Sequence, residues 1–579
     1  MEIKRGIPVS PGVAISAAVV LDTEDYRIPR RSIPAGRVRS EQARIRKAIH
    51  KSAEDVGRLQ SSVGHRLGKQ TATIFDVHRA FLRDRSFYKK ISDTVQDEMC
   101  TAEYAVSKVL RKQAKVFLES GDRYMAERVT DIYDIERRIL KHLLGQATEE
   151  LTHLTDDVAI VAHDLTPSLT ASLGERRIHG IATDVGGRTS HSAIVARALG
   201  IPAVVGLNDI SADVSAGDVV IIDGNRGVVI INPDEKTLEA HRLYQAELTQ
   251  FEHQLEELRA LPAETRDGVR IQLMGNIEFP HEAAECIERG ADGIGLYRTE
   301  YLYLGAEEEP TEEEHFKAYQ QASEDIKDLP IYIRTLDLGA DKYTQARRGA
   351  PEPNPFLGCR SIRFCLRHLD LFRVQLRALL RVSVKDNVSI ILPLVTTLLE
   401  LRQARMIIRD VMEELEEEGI EHARKVPLGI MVETPSAAMT VKSFAREVDF
   451  FSIGTNDLIQ YTLAVDRGNE AVAGLFSAAH PAILQMIRYV LRIGRRTEVP
   501  VSLCGEMAGD PIFTHLLLGL GLTQFSVSPT ALLEVKKMIR STTLDHARKV
   551  SRRCLSFDSD RQITNYLREE TKKIIPEAF

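Results

Sequence analysis

Cysteine is scarce and scattered. The 579-residue chain holds six, Cys100, Cys286, Cys359, Cys365, Cys504 and Cys554, with no CxxC pair and no Cys/His cluster at zinc-ligand spacing. That excludes a disulfide framework and fits free thiols in a reducing compartment. A membrane-length apolar run is missing too. Pro8 and Pro11 interrupt the apolar N-terminal stretch and nothing longer follows, so the sequence reads as cytoplasmic, without membrane insertion. There is no GxxxxGK[ST] phosphate loop, no kinase-type signature, no fixed-period repeat and no low-complexity tract; Gly290, Gly293 and Gly295 do not spell GxGxxG in a strand-turn-helix context. Charge of one sign is also lacking: 76 Lys+Arg against 83 Asp+Glu give a net charge of -7, which excludes a chain built as a whole to bind nucleic acid or to stay disordered.

What is present is 43% hydrophobic residues, ample for several cores at roughly 100–200 residues per domain. The near-neutral average hides an asymmetry. Thr23 to Gly145 carries 26 Lys+Arg against 17 Asp+Glu, and the remainder 50 against 66, so one early segment has a basic surface. Residues 6–21 alternate like a single strand. From Glu41 to Leu143 apolar residues such as Val56, Leu59, Val63 and Leu67, then Val106, Val109 and Leu110, recur at helical spacing without a proline, predicting a bundle of about four helices. From Asp157 short β runs return, VAIVAHD, GIATD, AVVG, VVIIDG and GVVIIN, with a helical stretch near 190–199 and a hairpin turn at Asp223 to Gly227. This predicts a compact α/β unit of 1–22 with 146–233, interrupted by a helical insertion over 23–145. Residues 234–261 read as a linking helix whose apolar stripe is Leu248, Phe251, Leu255 and Leu258.

After Pro262 eight strand-like runs alternate with helix-length stretches: IQLMGN, GIGLYR, IYIRTLD, SIILPLV, LGIMVE, FFSIGTN, VSLCGE and QFSVSP. They predict a (β/α)₈ TIM barrel over 262–579. Most runs end in a polar or ionisable residue, Asn276, Arg298, Arg334, Glu433, Asn456 with Asp457, and Cys504 with Glu506. In a barrel those ends converge on one face.

Three groups could carry chemistry. In TDVGGRTSHSAIVARALGIPAVVG, residues 183–206, a glycine pair precedes a helix whose first turn holds His191. A neutral imidazole there is a nitrogen nucleophile beside anion-binding amides; a capping or packing histidine is the simpler alternative. At the barrel mouth Arg298 and Arg334 offer planar forks to carboxylate or phosphate, Glu433 and Asp457 supply the hard oxygens that Mg²⁺ takes, and Arg467 could reach the same anion or remain in a surface pair. Cys504 ends a strand and could exchange a proton with substrate carbon, or be an inert buried thiol.

The ordered motifs GGRTSHSAIVARALGIPAVVG, GIGLYRTEYLYL, IRTLDLGADK, NPFLGCRSIR, VETPSA, FFSIGTNDLIQY and LCGEMAGDP, with the opening GIPVSPGVAI, resemble enzyme I of the bacterial phosphoenolpyruvate:sugar phosphotransferase system along the whole chain. The resemblance implies an α/β phosphohistidine domain with an inserted HPr-binding bundle, followed by a phosphoenolpyruvate-binding and dimerising TIM barrel. It implies Mg²⁺-dependent phosphorylation of His191 from phosphoenolpyruvate, release of pyruvate, and transfer to the carrier protein HPr. His191 matches the phosphohistidine, Arg298 and Arg334 the substrate arginines, Glu433 and Asp457 the metal ligands, Cys504 the proton donor, Asn456, Asp457 and Arg467 further substrate contacts, and Thr170 a hydrogen-bond partner of the histidine. Pyruvate phosphate dikinase and phosphoenolpyruvate synthase are similar as well, but carry an ATP-binding domain in front for which no room is expected here.

One departure stands out. The segment 74–90, IFDVHRAFLRDRSFYKK, looks like the family's docking helix, yet Arg79, Arg83, Arg85, Lys89 and Lys90 stand against only Asp76 and Asp84. Familiar members often show an acidic face, so either this is a solvated helix face or the partner is unusually acidic. A regulator that has lost turnover is the alternative from another class, and completeness of the site is what separates the two.

Overall fold

In the structure, a computed structural model, the described residues are 1–21, 28, 30–66, 81–82, 84–119, 129–144, 158–165, 178–187, 190, 193, 196–197, 200–215, 217–303, 308–338, 354–467, 469 and 471–576, the side chains of 59–66, 85, 116–119 and 129–131 excepted. They divide into two units, Met1–Thr249 and Gln250–Phe579.

In the first unit the residues read as one strand form two, preceded by a third: β1 (Glu2–Arg5), β2 (Ile7–Ser10) and β3 (Val13–Leu21). Gly12, at φ +112°, breaks the run, because only glycine turns there without a Cβ penalty. The pieces then pair apart, β1 with β8 (Val228–Ile231), β2 with β6 (Ala203–Val205), and β3 between β4 (Val158–Ala162) and β7 (Val219–Asp223). With β5 (Ile178–Thr183) they complete one sheet in the order β1-β8-β7-β3-β4-β5-β6-β2. The expected hairpin joins β7 to β8, the Asp223 carboxylate accepting from the N–H of Asn225 at 3.0 Å and of Arg226 at 2.9 Å.

Between β3 and β4 in the chain run helices Val38–Arg66, Arg85–Glu98, Ala102–Glu119 and Val129–Leu144. Their apolar positions make a separate core that includes Ile45, Val56, Ile91, Val95, Val106, Leu110, Ile135 and Ile139. Buried Glu41 ties two of them, accepting from the Ala102 N–H at 2.9 Å at the start of the third helix while pairing with Arg44 at 2.7 Å, a carboxylate on a helix N-terminus.

The second unit is a closed barrel of eight parallel strands, β9 (Gln272–Ile277), β10 (Ile294–Tyr297), β11 (Ile331–Arg334), β12 (Val388–Leu392), β13 (Leu428–Val432), β14 (Phe450–Ile453), β15 (Val501–Leu503) and β16 (Gln524–Val527), β16 closing on β9. All eight expected runs are strands. Helix Glu235–Glu257 carries the expected stripe, with Leu248 packed in the first unit's core and Phe251 and Leu255 in the second's, where Leu258, one residue past the helix end, joins them. Among the described residues no helix is long and apolar enough to cross a membrane.

One buried group weakens the barrel in acid. His515, on helix Pro511–Leu520, is 1% exposed, and neither ring nitrogen has a hydrogen-bond partner among the described residues. Its ring meets that of His546, whose Nε2 pairs with Glu570 at 3.2 Å. Burial first, then the His546 charge, push His515 down to about 4. The unfolded chain binds this proton near pH 6.5 and the folded chain only near 4, so stability falls as pH drops through that window, by about 3 kcal/mol in full. His515→Phe keeps a ring and removes the titration. Its melting temperature is expected to exceed the parent's by several degrees more at pH 5 than at pH 7; parallel shifts at the two pH values would show that His515 is not the acid-labile group.

Candidate active site

The C-terminal ends of β10, β11, β13, β14 and β15 meet at one mouth, as strand ends in a parallel barrel must. Arg334, the last residue of β11, is 8% exposed and forked between two carboxylates, Glu300 at 3.1 Å and Asp337 at 2.9 Å. Burial alone would lower its pKa; the charges of Asp337, Glu300 and Glu433 outweigh burial and hold the guanidinium charged. Asp337 is shared. Its other oxygen takes Arg360 at 2.9 Å and the Ser361 hydroxyl, so that the two arginines, against the effect of burial, keep this carboxyl below the usual range. Arg360 also lies 3.6 Å from Asp457 and donates to the Tyr461 hydroxyl at 3.4 Å, which in turn donates to the Phe356 carbonyl at 2.5 Å.

Glu433, one residue past β13, is 1% exposed, and its Oε1 accepts from the Leu394 N–H at 2.5 Å. Burial, then Asp457 and Asp337, push this carboxyl up to about 8. Asp457 sits in the first turn of helix Thr455–Leu463 and is also buried. Two non-glycine residues in left-handed backbone border the set, Leu394 at φ +52° and Ser361 at φ +54°; strain of this kind is held only where surrounding structure over-determines it.

Five buried polar atoms here have no hydrogen-bond partner among the described residues: Arg334 Nε, Arg360 Nε, Thr455 Oγ1, Asp457 Oδ1 and Gln460 Nε2. Such atoms are rare in native interiors, and here donors for an anion lie near an acceptor for a cation. Two carboxylates with a phosphate-bearing ligand suffice for Mg²⁺, which keeps waters in its shell, so Glu433 and Asp457 fit it, although among the described residues no group of three His, Cys, Asp or Glu could hold a metal on its own.

An adjoining cavity of about 480 Å³ is lined by Arg298, Cys504, Glu278, Glu506 and Asn276, among others. Arg298 is half-buried and pairs with Glu278 at 2.7 Å. Asn276 donates to the carbonyls of Cys504 and Ser526, both at 3.0 Å, and so pins the ends of β15 and β16 to β9. Cys504 is 2% exposed; the Ser452 hydroxyl donates to its Sγ at 3.2 Å, and burial raises the thiol pKa. Gly505 must be glycine, since a Cβ there would overlap both the side chain and the backbone nitrogen of Thr455.

Of the residues expected from sequence, Arg334, Glu433 and Asp457 form one buried cluster with Arg360, and Arg298 and Cys504 line the cavity beside it. Asn456 is instead occupied with Glu506, donating at 3.0 Å and accepting from its N–H at 3.1 Å. Arg467 is exposed, its N–H bonded to Gln460 at 3.2 Å, and no contact among the described residues brings its guanidinium to the cluster. His191, Thr170, Arg79 and Arg83, and the side chain of Arg85, lie outside the described residues. Sequence reasoning missed Glu300, Asp337 and Arg360 as members of the site. All three stand in motifs already quoted, GIGLYRTEYLYL, IRTLDLGADK and NPFLGCRSIR, which were the available signal.

Family descriptions match three stretches of the chain: a PEP-utilising enzyme N-terminal domain over 5–128, a PEP-utilising enzyme mobile domain over 154–227, and a PEP-utilising enzyme PEP-binding domain over 252–544. The phosphoenolpyruvate-protein phosphotransferase of Geobacillus stearothermophilus is 42% identical over 567 residues, covering 97% of each chain. That of Staphylococcus carnosus (strain TM300) is 40% identical over 568 residues, covering 98% of this chain and 99% of the relative. An NMR solution structure of enzyme I (nEIt) is similar at 39% identity with a TM-score of 0.37, over 42% of this chain and 99% of that one.

Proposed function

Since the chain belongs to the phosphoenolpyruvate-protein phosphotransferases, the enzyme I family of the bacterial sugar phosphotransferase system, we propose that it phosphorylates itself on His191 from phosphoenolpyruvate and passes the phosphoryl group to HPr. The observation that carries this reading is that Arg334 Nε and Arg360 Nε, buried at the mouth, have no hydrogen-bond partner among the described residues, while Arg360 lies 3.6 Å from Asp457 and the charge of Arg334 reaches the buried thiol of Cys504.

Phosphoenolpyruvate carries a carboxylate and a phosphate on adjacent groups. Arg298 and the Nε of Arg334 would each take one anionic end, with Arg360 Nε a further donor beside them; in this proposal Asn456, on leaving Glu506, and Arg467, on turning inward, join them as substrate contacts. Glu433 and Asp457 would hold Mg²⁺, which when bound neutralises charge on the phosphate. His191 is the nucleophile, with Thr170 its hydrogen-bond partner. When the P–O bond breaks, the phosphoryl group passes to the imidazole nitrogen and the electron pair stays on the enolate oxygen. Cys504 then gives its proton to C3, and pyruvate leaves. Orientation and charge neutralisation contribute most, because phosphoryl transfer leaves the protein little covalent work.

The domain roles belong to the same proposal: phosphohistidine domain over 1–22 and 146–233, HPr-binding insertion over 23–145 with Arg79, Arg83 and Arg85 on its docking face toward an acidic partner, linking helix over 234–261, and a barrel over 262–579 through which a cytoplasmic homodimer forms.

Intact-protein mass spectrometry after incubation with phosphoenolpyruvate and Mg²⁺ tests it. One acid-labile phosphoryl adduct is expected, absent in His191→Ala, absent with EDTA, not formed from ATP, and discharged by added HPr. An adduct that persists in His191→Ala would overturn the assignment of the nucleophile; no adduct on folded protein would leave a regulator without turnover.

A further inference from the structure

Behind the mouth lies a buried polar chain that the reaction does not use. Gln375, on helix Leu369–Val382, is fully buried. Its Nε2 donates to Thr299 Oγ1 at 3.1 Å and to the Tyr319 hydroxyl at 3.0 Å, and its Oε1 accepts from the Leu336 N–H at 3.0 Å. Thr299 follows Arg298 directly, and its hydroxyl donates to the Arg334 carbonyl at 3.0 Å. Leu336 lies two residues beyond Arg334. One amide therefore ties together the two segments that carry the arginines.

The chain continues outward. Tyr319 lies 2.8 Å from His315 Nδ1, and His315 Nε2 lies 3.0 Å from the Tyr303 hydroxyl. Burial pushes His315 down to about 4, so at neutral pH one ring nitrogen donates and the other accepts, as two hydroxyl neighbours require. A barrel wall has no need of such a chain, since replacing a fully paired buried polar set by apolar groups of the same shape can be nearly neutral for stability.

The strand ladder shows what the amide adds. β10 pairs with both neighbours through a shifted register, Ile294 with Ile331 but Tyr297 with Ile333 on one side, and Ile294 with Gly275 but Leu296 with Asn276 on the other. An interrupted ladder fixes a strand end less firmly than a regular one. The three bonds of Gln375 restore that constraint just past the irregularity.

We propose that Gln375 is a positioning residue for substrate recognition, setting the separation of Arg298 and Arg334 to that of the two anionic ends of phosphoenolpyruvate. The inference rests on the proposed reading of the mouth. It implies that losing the amide harms a ligand gripped at both ends far more than one gripped at a single end.

The test uses the full chain carrying His191→Ala, so that phosphoenolpyruvate binds without turnover, with affinity measured by calorimetry in Mg²⁺ and inorganic phosphate as the single-ended probe. Gln375→Leu is expected to weaken phosphoenolpyruvate tenfold or more and phosphate threefold or less. Gln375→Glu keeps the acceptor for Leu336 but donates only when protonated, so its affinity relative to the parent should fall as pH rises, while that of Gln375→Leu stays level. Equal losses for both ligands, or phosphoenolpyruvate affinity within twofold of the parent in both variants, would overturn the proposal. Arg334→Met distinguishes the other failure: if it leaves phosphoenolpyruvate affinity unchanged, the reading of the mouth itself is wrong.

Discussion

Arg334→Lys is expected to lower kcat/KM for phosphoenolpyruvate by about 10²–10³-fold while the protein stays folded. Lysine keeps a positive charge opposite Glu300 and Asp337, which hold Arg334 at 3.1 and 2.9 Å, so those buried carboxylates are not left uncompensated. What disappears is the planar fork. Guanidinium can serve both carboxylates through its two terminal nitrogens and still aim Nε, unpartnered among the described residues, elsewhere; an ammonium is a single point donor. Truncating one partner of a buried, hydrogen-bonded charge pair costs about 2–5 kcal/mol, and roughly 1.4 kcal/mol is tenfold in rate. Initial rates of pyruvate formation beside a melting curve check this. A loss under fivefold with an unchanged melting temperature would mean that the substrate does not engage the Arg334 Nε–H.

Cys504→Ala is expected to slow pyruvate formation by about 10²–10³-fold and to move KM for phosphoenolpyruvate by only a few-fold, since a positioned general acid contributes about that much to rate. The environment suits an acid. Burial raises the thiol pKa first; Ser452's hydrogen bond and the charges of Arg334 and Arg298 act the other way. The proton is thus held through the neutral range, and the thiolate left after donation keeps the Ser452 hydroxyl as a donor at 3.2 Å. A raised pKa places the loss of the acid form above the ordinary thiol value of about 8.5, so the parent's rate should hold to that pH and decline beyond it, with the limb absent in Cys504→Ala. An alkaline limb retained in the variant would assign the titration to another group.

These residues were legible because of how a parallel barrel is made. Each strand is buried on both faces and reads as an apolar run, and the run stops where the chain reaches the mouth; Arg298, Arg334, Glu433 and Cys504 are the stops. Arg360 has no such marker. It comes from a segment outside the strands, next to Ser361 in left-handed backbone, and only the fold brings it to Asp337. Glu300 and Asp337 follow their arginines by two and three residues and look like ordinary loop acids until burial and pairing are known. The single strand expected over 6–21 failed for a local reason, the glycine at 12, whose positive φ lets the halves join opposite parts of one sheet. His515 shows the limit most plainly: nothing in PIFTHLLLGL separates a paired histidine from an unpaired one, since the partners it lacks would come from other helices.

The Tyr461–Arg360 contact has an optical use. The chain contains no tryptophan, so its intrinsic emission is tyrosine emission, and a single introduced indole would be seen without background. Phe356 is the place for it: its ring lies 5.9 Å from the Arg360 guanidinium, and its carbonyl accepts from Tyr461. Phe356→Trp would set one fluorophore against the cation that faces the barrel mouth, and each turnover could then be followed as a change in light.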